Sequence, residues 1–420
     1  MRIAWFTHRY HPCLGGAEAY GRALVKRFVA DGHDVDVLTS DAQELWYFTD
    51  RSRRRVDAPA EEVVDGARVF RLPVRHFTGQ RYVGRLLSYV PHRPTRCRWE
   101  SYMPVIPAVE RVRGCYDAVF AVGFPFTVFS YGALRTARDA GASLVLTPFL
   151  HLSTPGDPVA RHYTRPHQRW LLRQADLVVS PTNLEAEVVR SWGVRPENQL
   201  VLPMAIEPEQ VTGGVGSRLR ERIGVPISAR LVGQLGALDP NKGTCDLVRA
   251  VAQINRDRPA FTEPVHLALA GAPSPDFDAF LNDDPSGAAS WLHVLGPIEP
   301  SVVPDFYDSL DLFAMPSRTD SFGIVYLEAW ACGKPVVAAA AGGVVEVVDH
   351  GRTGLLVPFG DVPALTDAVR LVLDDRSLAA RLGEEGRRRV VEAGGWGARY
   401  RELRSRLDVL RSPARSSRSA

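Results

Sequence analysis

Between Pro316 and Glu346 the chain reads Pro316-Ser-Arg-Thr-Asp320-Ser-Phe322-Gly323-Ile324-Val325-Tyr-Leu-Glu328, followed by Cys332-Gly-Lys-Pro335 and Gly342-Gly343-Val-Val-Glu346. Two acids with seven residues between them flank a small-residue turn that opens a helix. The first backbone N–H groups of a helix have no partner within it and sit at the positive end of its dipole, so an anion suits that turn. Carboxylates on either side suit hydroxyl groups. A nucleotide-diphosphate sugar has those parts in that order. A glycosidase also needs two carboxylates, across a scissile bond. Here Asp320 falls in the loop and Glu328 one to two turns into the helix, which suits hydroxyl binding better than a shared proton transfer. Asp320 also has the residue type of a helix N-cap, and the two roles are compatible.

Lys242 closes a loop, Gly233-Gln-Leu-Gly236-Ala237-Leu-Asp-Pro-Asn241, between an expected strand and an expected helix. It is either a solvated lysine at a helix start or a point charge for a phosphate, and the 316–346 segment favours the phosphate. Gly15-Gly16 marks the first strand-to-helix turn without the Gly-x-Gly-x-x-Gly spacing, so alone it signals only a close turn. His151 follows an expected strand at 143–148, where a side chain points towards a cleft, although a lone histidine is more often structural.

Residues 51–100 hold 12 Arg against 5 acids, a net +7, interleaved with Phe77, Tyr82, Tyr89 and Trp99. Leu86-Leu87-Ser-Tyr89-Val90 is either the apolar face of an interfacial helix or part of a solvated insertion; Pro91 and Pro94 keep any helix short.

These side chains need strand ends and helix starts to hold them. An apolar strand at 3–7, a helical period over 17–30 and a strand at 35–38 make a βαβ unit of a parallel, doubly wound sheet. Further strands are expected at 67–72, 118–122, 143–148, 177–180 and 200–203. A second α/β series has strands at 229–235, 265–270, 292–295, 312–315, 336–339 and 355–357, with helices at 322–332 and 363–373. The Gly-, Pro- and acid-rich stretch 207–216 reads as a linker.

The expected domains are therefore 1–205 and 206–390, then a helix at 391–411 that returns to the first domain and a disordered tail at 412–420. A chain of 420 residues exceeds one core's usual size, in agreement with two domains. A net charge of +3 does not announce a nucleic-acid partner. Five scattered cysteines lack zinc spacing and read as reduced cytosolic thiols. The opening Arg2-Ile-Ala-Trp-Phe6 is too short for a signal-peptide core, and no apolar run reaches a membrane span.

The 316–346 segment resembles the donor-site signature of the retaining GT-B glycosyltransferases of family 4, with Asp320 where glutamate is commoner. Likeness extends to Tyr10-His-Pro-Cys-Leu-Gly15-Gly16-Ala-Glu18, Gly32-His33-Asp-Val, Ala175-Asp176-Leu-Val-Val-Ser180, Asp311-Leu-Phe-Ala-Met-Pro316-Ser317 and Gly351-Arg-Thr-Gly354-Leu-Leu-Val-Pro358, and fades over 41–115. The resemblance implies an α/β GT-B fold: two Rossmann-like doubly wound domains facing a central cleft, the first binding acceptor and the second nucleotide-sugar.

By the same resemblance, Glu328 binds the donor ribose, Asp320 the transferred sugar, and Lys242 the diphosphate. The amides at Phe322, Gly323, Ile324 and Val325 contact phosphate and sugar, and Gly15 and Gly16 approach the diphosphate from the first domain. His151 lies beside the reacting carbon, and the base sits near Ile298. The catalytic set is then His151, Lys242 and Asp320, with no metal and no cofactor beyond a UDP- or GDP-linked donor.

The implied activity is hexosyl transfer with retention to a carbohydrate, glycolipid or small-molecule hydroxyl, in cell-envelope or exopolysaccharide biosynthesis. The expected location is cytoplasmic, with peripheral contact at the inner membrane face through 51–99. A natural-product glycosyltransferase, a nucleotide-sugar epimerase and a catalytically idle GT-B protein that binds nucleotide-sugar or a partner are the alternatives. Two departures from the family pattern stand out. Neither Gln234 nor Ala237 supplies the usual loop arginine, and Met204-Ala205-Ile206-Glu207 replaces an Asn-Gly-Val-Asp.

Overall fold

A computed structural model describes residues 1–87, 90, 92–99, 104–153, 157–259, 262–284 and 289–411. Tyr89, Pro91 and the tail expected at 412–420 lie outside the described residues. The chain divides into two compact units, one from 1–151, 155–204 and 396 onwards, the other from 152–154 and 205–395.

Among the described residues the first unit carries eight strands. They are β1 (Arg2–Thr7), β2 (Asp34–Ser40), β3 (Glu61–Val64), β4 (Ala67–Leu72), β5 (Ala118–Val122), β6 (Ser143–Thr147), β7 (Leu177–Ser180) and β8 (Gln199–Val201). Their order is β3-β4-β2-β1-β5-β6-β7-β8. All neighbours are parallel except β3 and β4. Both faces of the central strands are covered: every residue of β5 (Ala-Val-Phe-Ala-Val) is buried. That is why these strands read as continuous apolar runs.

β3 went unread in the sequence. Asp65 and Gly66 both take positive φ, 50° and 83°, in a two-residue hairpin turn. An Asp-Gly pair between short runs is its sequence signal.

The second unit has six parallel strands: β9 (Leu231–Leu235), β10 (His266–Ala270), β11 (Leu292–Gly296), β12 (Leu312–Met315), β13 (Val336–Ala339) and β14 (Leu355–Val357). Their order is β11-β10-β9-β12-β13-β14. Val232, Leu247, Val251, Leu267, Leu269 and Phe277 form part of its core. Among the parallel strands of each sheet the order reverses once, between β1 and β5 and between β9 and β12. Helices leaving neighbouring strands there go to opposite faces, which opens a crevice at the strands' carboxyl ends.

Several boundaries differ from expectation. β9 begins at Leu231 because Ala229 is tied into a turn through its N–H to Pro226 O, at 3.1 Å. The stretch 207–216 is not a free linker. Val211 is buried, and a Cβ on Gly214 or Gly216 would collide with the backbone of Pro304 or Ser309 at 2.2 and 2.5 Å. The helix Arg376–Ala393 runs past 390, so the last helix is Trp396–Arg411. Within the first unit Tyr400 of that helix donates to Asp31 Oδ2 at 2.6 Å and sets its ring edge-on to Phe28. The second unit's own ends meet: a Cβ on Gly395 would lie 3.4 Å from Ile206 O.

Candidate functional site

The crevice of the second unit is built by the loops after β9 and β12. After β9 the chain turns at Gly236, and Asp239 accepts from the Asn241 N–H at 2.8 Å, winding Pro240–Lys242 into a single 3-10 turn. Gly243 follows with φ 70°, and a Cβ there would stand 2.2 Å from Pro316 O. Only glycine combines that φ with that approach. The two loops are further joined by Arg318 N–H donating to Asn241 O at 2.8 Å. The result brings together two residues that are 78 positions apart: Lys242 Nζ donates to Asp320 Oδ1.

The helix after β12 runs Ile324–Ala331, with Gly323 as its N-cap at φ 86°. Asp320 is therefore not the cap, contrary to one of its two expected readings; its carboxylate is engaged by Lys242 instead. A Cβ on Gly323 would strike the Tyr326 ring at 2.4 Å. That ring is itself fixed by its hydroxyl donating to Met315 O at 2.7 Å. Phe322 is buried, while Gly323, Ile324 and Val325 are part-exposed at the helix start. The second glycine pair clamps the acid from behind: Gly343 N–H donates to Asp320 O at 2.8 Å.

Glu328 lies in the second turn of this helix, half-buried. Tyr307, on the helix Val303–Ser309, donates its hydroxyl to Glu328 Oε2 at 2.6 Å. Burial raises the Glu328 carboxyl above its ordinary range, partly offset by that hydrogen bond. The Tyr307 hydroxyl is pushed well up by burial and by the facing carboxylate. Tyr307 escaped the sequence reading, because a tyrosine four residues before Asp311 shows nothing of where its hydroxyl points. Ile298 follows β11, two strands from β9, beyond Gly296 at φ 66°.

Gly15, Gly16 and His151 belong to the first unit. Gly15 caps the helix Gly16–Ala30. A Cβ on it would lie 2.3 Å from Glu18 Oε2, so the glycine makes room for a buried carboxylate. Burial alone would raise Glu18, but Arg9, whose guanidinium lies 2.7 Å away, brings it below the usual range. Burial lowers His8 to about 4, so its imidazole is neutral near pH 7 and Arg9 is the charge partner. The ring of His151 stacks on Tyr163 with centroids 4.7 Å apart.

The family's loop arginine has no replacement at either position considered. Gln234 is buried and donates to Thr244 Oγ1 at 2.9 Å, and Ala237 carries no charge. In the basic stretch, the helix Gln80–Leu87 exposes Tyr82, Val83 and Leu86, with Phe77 exposed nearby. Arg51, Arg53 and Arg54 are also exposed. Several of its arginines are engaged within the fold: Arg71 is buried against Glu62 and the His11 and Pro59 carbonyls, Arg68 pairs with Asp36, Arg54 with Glu44 and Arg98 with Glu110. Among the described residues no three His, Cys, Asp or Glu gather as metal ligands. No helix among them is long and apolar enough to cross a membrane.

Residues 15–205 match the family described as Glycosyl transferase 4-like domain, and residues 229–375 that described as Glycosyl transferases group 1. The D-inositol 3-phosphate glycosyltransferase of Acidothermus cellulolyticus is 28% identical over 375 residues, 86% of this chain and 78% of that protein. Its namesake from Stackebrandtia nassauensis is 33% identical over 240 residues, 56% of this chain and 54% of that protein. The match spans about half the length of several of these curated relatives.

Among solved structures, a sucrose-phosphate synthase from Thermosynechococcus elongatus superposes with TM-score 0.74 at 21% identity, over 97% of this chain and 98% of that one. Anabaena HepE in complex with UDP-glucose gives 0.70 at 20%, over 97% and 100%. At such identities the likeness speaks for the fold, which is GT-B. With a family match in each domain, reaching together from residue 15 to residue 375, the chain belongs to the group 1 glycosyltransferases.

Proposed function

We propose that the protein transfers a sugar, with retention, from a nucleotide-diphosphate donor to a hydroxyl acceptor. The observation that carries this reading is the meeting of Lys242 and Asp320 at the switch point of the second sheet, beside the start of the helix that bears Glu328. A cation and free amides suit a diphosphate, and two carboxylates suit the hydroxyls on either side of it. Glu328 takes the ribose, Asp320 the transferred sugar, and the loop after β11 at Ile298 the base. Family resemblance assigns Gly15 and Gly16 to the diphosphate and His151 to the reacting carbon.

The leaving diphosphate oxygen can itself accept the acceptor's proton on one face of the sugar. The protein's task is then to orient the reactants and stabilise charge on the leaving group. UDP-glucose is the first donor to test, since HepE is seen with it. Inositol 3-phosphate belongs in the acceptor panel because curated relatives carry that substrate in their names.

Isothermal titration with UDP, GDP and ADP, followed by a donor and acceptor panel with product mass readout, tests the proposal. Absence of binding to all three nucleotides would favour an idle protein. With the active pair found, Glu328→Ala is expected to cut transfer by at least about a hundredfold; near-normal transfer by that variant sinks the site assignment.

A peripheral membrane role, with a glycolipid or envelope-polysaccharide acceptor, is supported by exposed Tyr82, Val83, Leu86 and Phe77 and by exposed Arg51 in the same basic stretch, where Arg53 and Arg54 already pair with Asp50 and Glu44. Failure to bind phosphatidylglycerol vesicles at low salt would remove it.

A further inference from the structure

Glu185 is a buried carboxyl for which the mechanism above has no use. It is 1% exposed, in the first turn of the helix Asn183–Ser191 that follows β7. Thr182 caps that helix, accepting from the Glu185 N–H at 3.2 Å. A Thr-x-x-Glu sequence at a helix start normally returns the glutamate to the cap's own N–H. Here Glu185 Oε2 takes the N–H of Leu150, at 2.8 Å and 35 residues away in the chain. Leu150 immediately precedes His151.

That loop is held in an unusual form. β6 ends at Thr147, and two residues later Phe149 adopts φ 51°, a left-handed conformation that a bulky side chain avoids. Such a residue persists where its surroundings over-determine it. Pro148 O accepts from Phe124 N–H at 2.8 Å, the Phe149 ring sits edge-on to Tyr20, and Leu150 is buried. The Glu185 hydrogen bond is the last tether before His151.

Burying a carboxyl for one backbone N–H and a nearby Ser180 hydroxyl is a poor stabilising device, because desolvation outweighs one hydrogen bond. Burial pushes this group up to about 8, with the Leu150 and Ser180 interactions only moderating the rise. An acid that costs stability beside a functional loop points to a role outside stability.

We propose that Glu185 is a positioning residue for sugar transfer: by accepting from the Leu150 N–H it sets the direction in which His151 leaves β6. The inference rests on the reading of His151 as the residue beside the reacting carbon.

Glu185→Leu keeps the volume and removes the acceptor, while Glu185→Gln restores an acceptor oxygen. Two measurements on the full chain separate the possibilities. In hydrogen exchange, the Leu150 amide is expected to lose at least about tenfold protection in Glu185→Leu and to regain it in Glu185→Gln. In UDP release from UDP-glucose, Glu185→Leu is expected to lower kcat about 10- to 100-fold with KM within about threefold, and Glu185→Gln to recover most of it. Unchanged Leu150 exchange in Glu185→Leu overturns the proposal. So does wild-type kcat in that variant when His151→Ala is slow. Wild-type kcat in His151→Ala itself instead removes the reading on which the proposal stands.

Discussion

The hydrogen bond from Tyr307 to Glu328 leaves one carboxylate oxygen for a ligand and fixes the direction in which it points. A hydrogen bond to a charged group is worth about 1.5–3 kcal/mol. Tyr307→Phe keeps the ring and its packing, so its loss falls on orientation. Steady-state kinetics on the donor should show KM raised about five- to tenfold with kcat within about twofold. Equal losses in kcat and kcat/KM would place Glu328 in the transition state rather than in donor binding.

Glu185 makes a second prediction at this scale. Its folded pKa of about 8 lies above that of an unfolded glutamate, near 4.3. Between those values the unfolded chain releases a proton that the folded chain keeps, so wild-type stability falls as pH rises through that window and levels off above it. The Tm of Glu185→Gln should therefore gain on wild type from pH 5 to pH 8. A gap that stays constant or narrows would show that this carboxyl does not titrate there.

Among the elements, the loop after β9 and the loop after β12 act as one piece because Gly243 lets Pro316 approach. In Gly243→Ala the new methyl meets Pro316 O in a backbone conformation that alanine resists. A stability loss of at least about 2 kcal/mol is expected by urea titration, together with weaker UDP binding, because Lys242 and Asp320 ride on the two loops. Stability lost with UDP affinity intact would mean that the loops serve the site independently.

Elements of this kind were legible in unequal measure. Strands buried on both faces announce themselves as apolar runs, and the expected positions of β5, β7, β12 and β13 agree with those observed, as do those of β4, which alternates buried and outward residues, and of β14. Asp320, Lys242 and Glu328 were legible because their chemistry follows from residue type and from position beside a turn. Tyr307 and Glu185 were not. Each acts through a contact made far along the chain, and a tyrosine or a helix-start glutamate has a commonplace local explanation. The 207–216 stretch misled for the converse reason: glycines that permit close packing have the same composition as glycines that permit flexibility.

For the whole molecule, charge should separate the two kinds of recognition proposed above. The +7 of residues 51–100 is a local surplus in a chain whose net charge is +3, so the remainder is close to balanced. Vesicle binding through that region should weaken steeply with salt, since exposed charges are screened over about 8 Å at physiological ionic strength. UDP binding at the part-buried Lys242 should respond much less. Titrating both against NaCl checks this, and parallel salt slopes would mean that one electrostatic surface serves both.

The close approach of Gly395 to Ile206 has a further consequence. Apart from 152–154, the second unit is one stretch, 205–395, whose ends adjoin, so this stretch is a guest inserted into a host that resumes after it. A guest with adjoining ends can be cut out without stretching its backbone. Residues 205–395 expressed alone should unfold cooperatively and bind UDP within about tenfold of the full chain. Such a fragment would make donor recognition portable, open to grafting onto a host that offers a different acceptor.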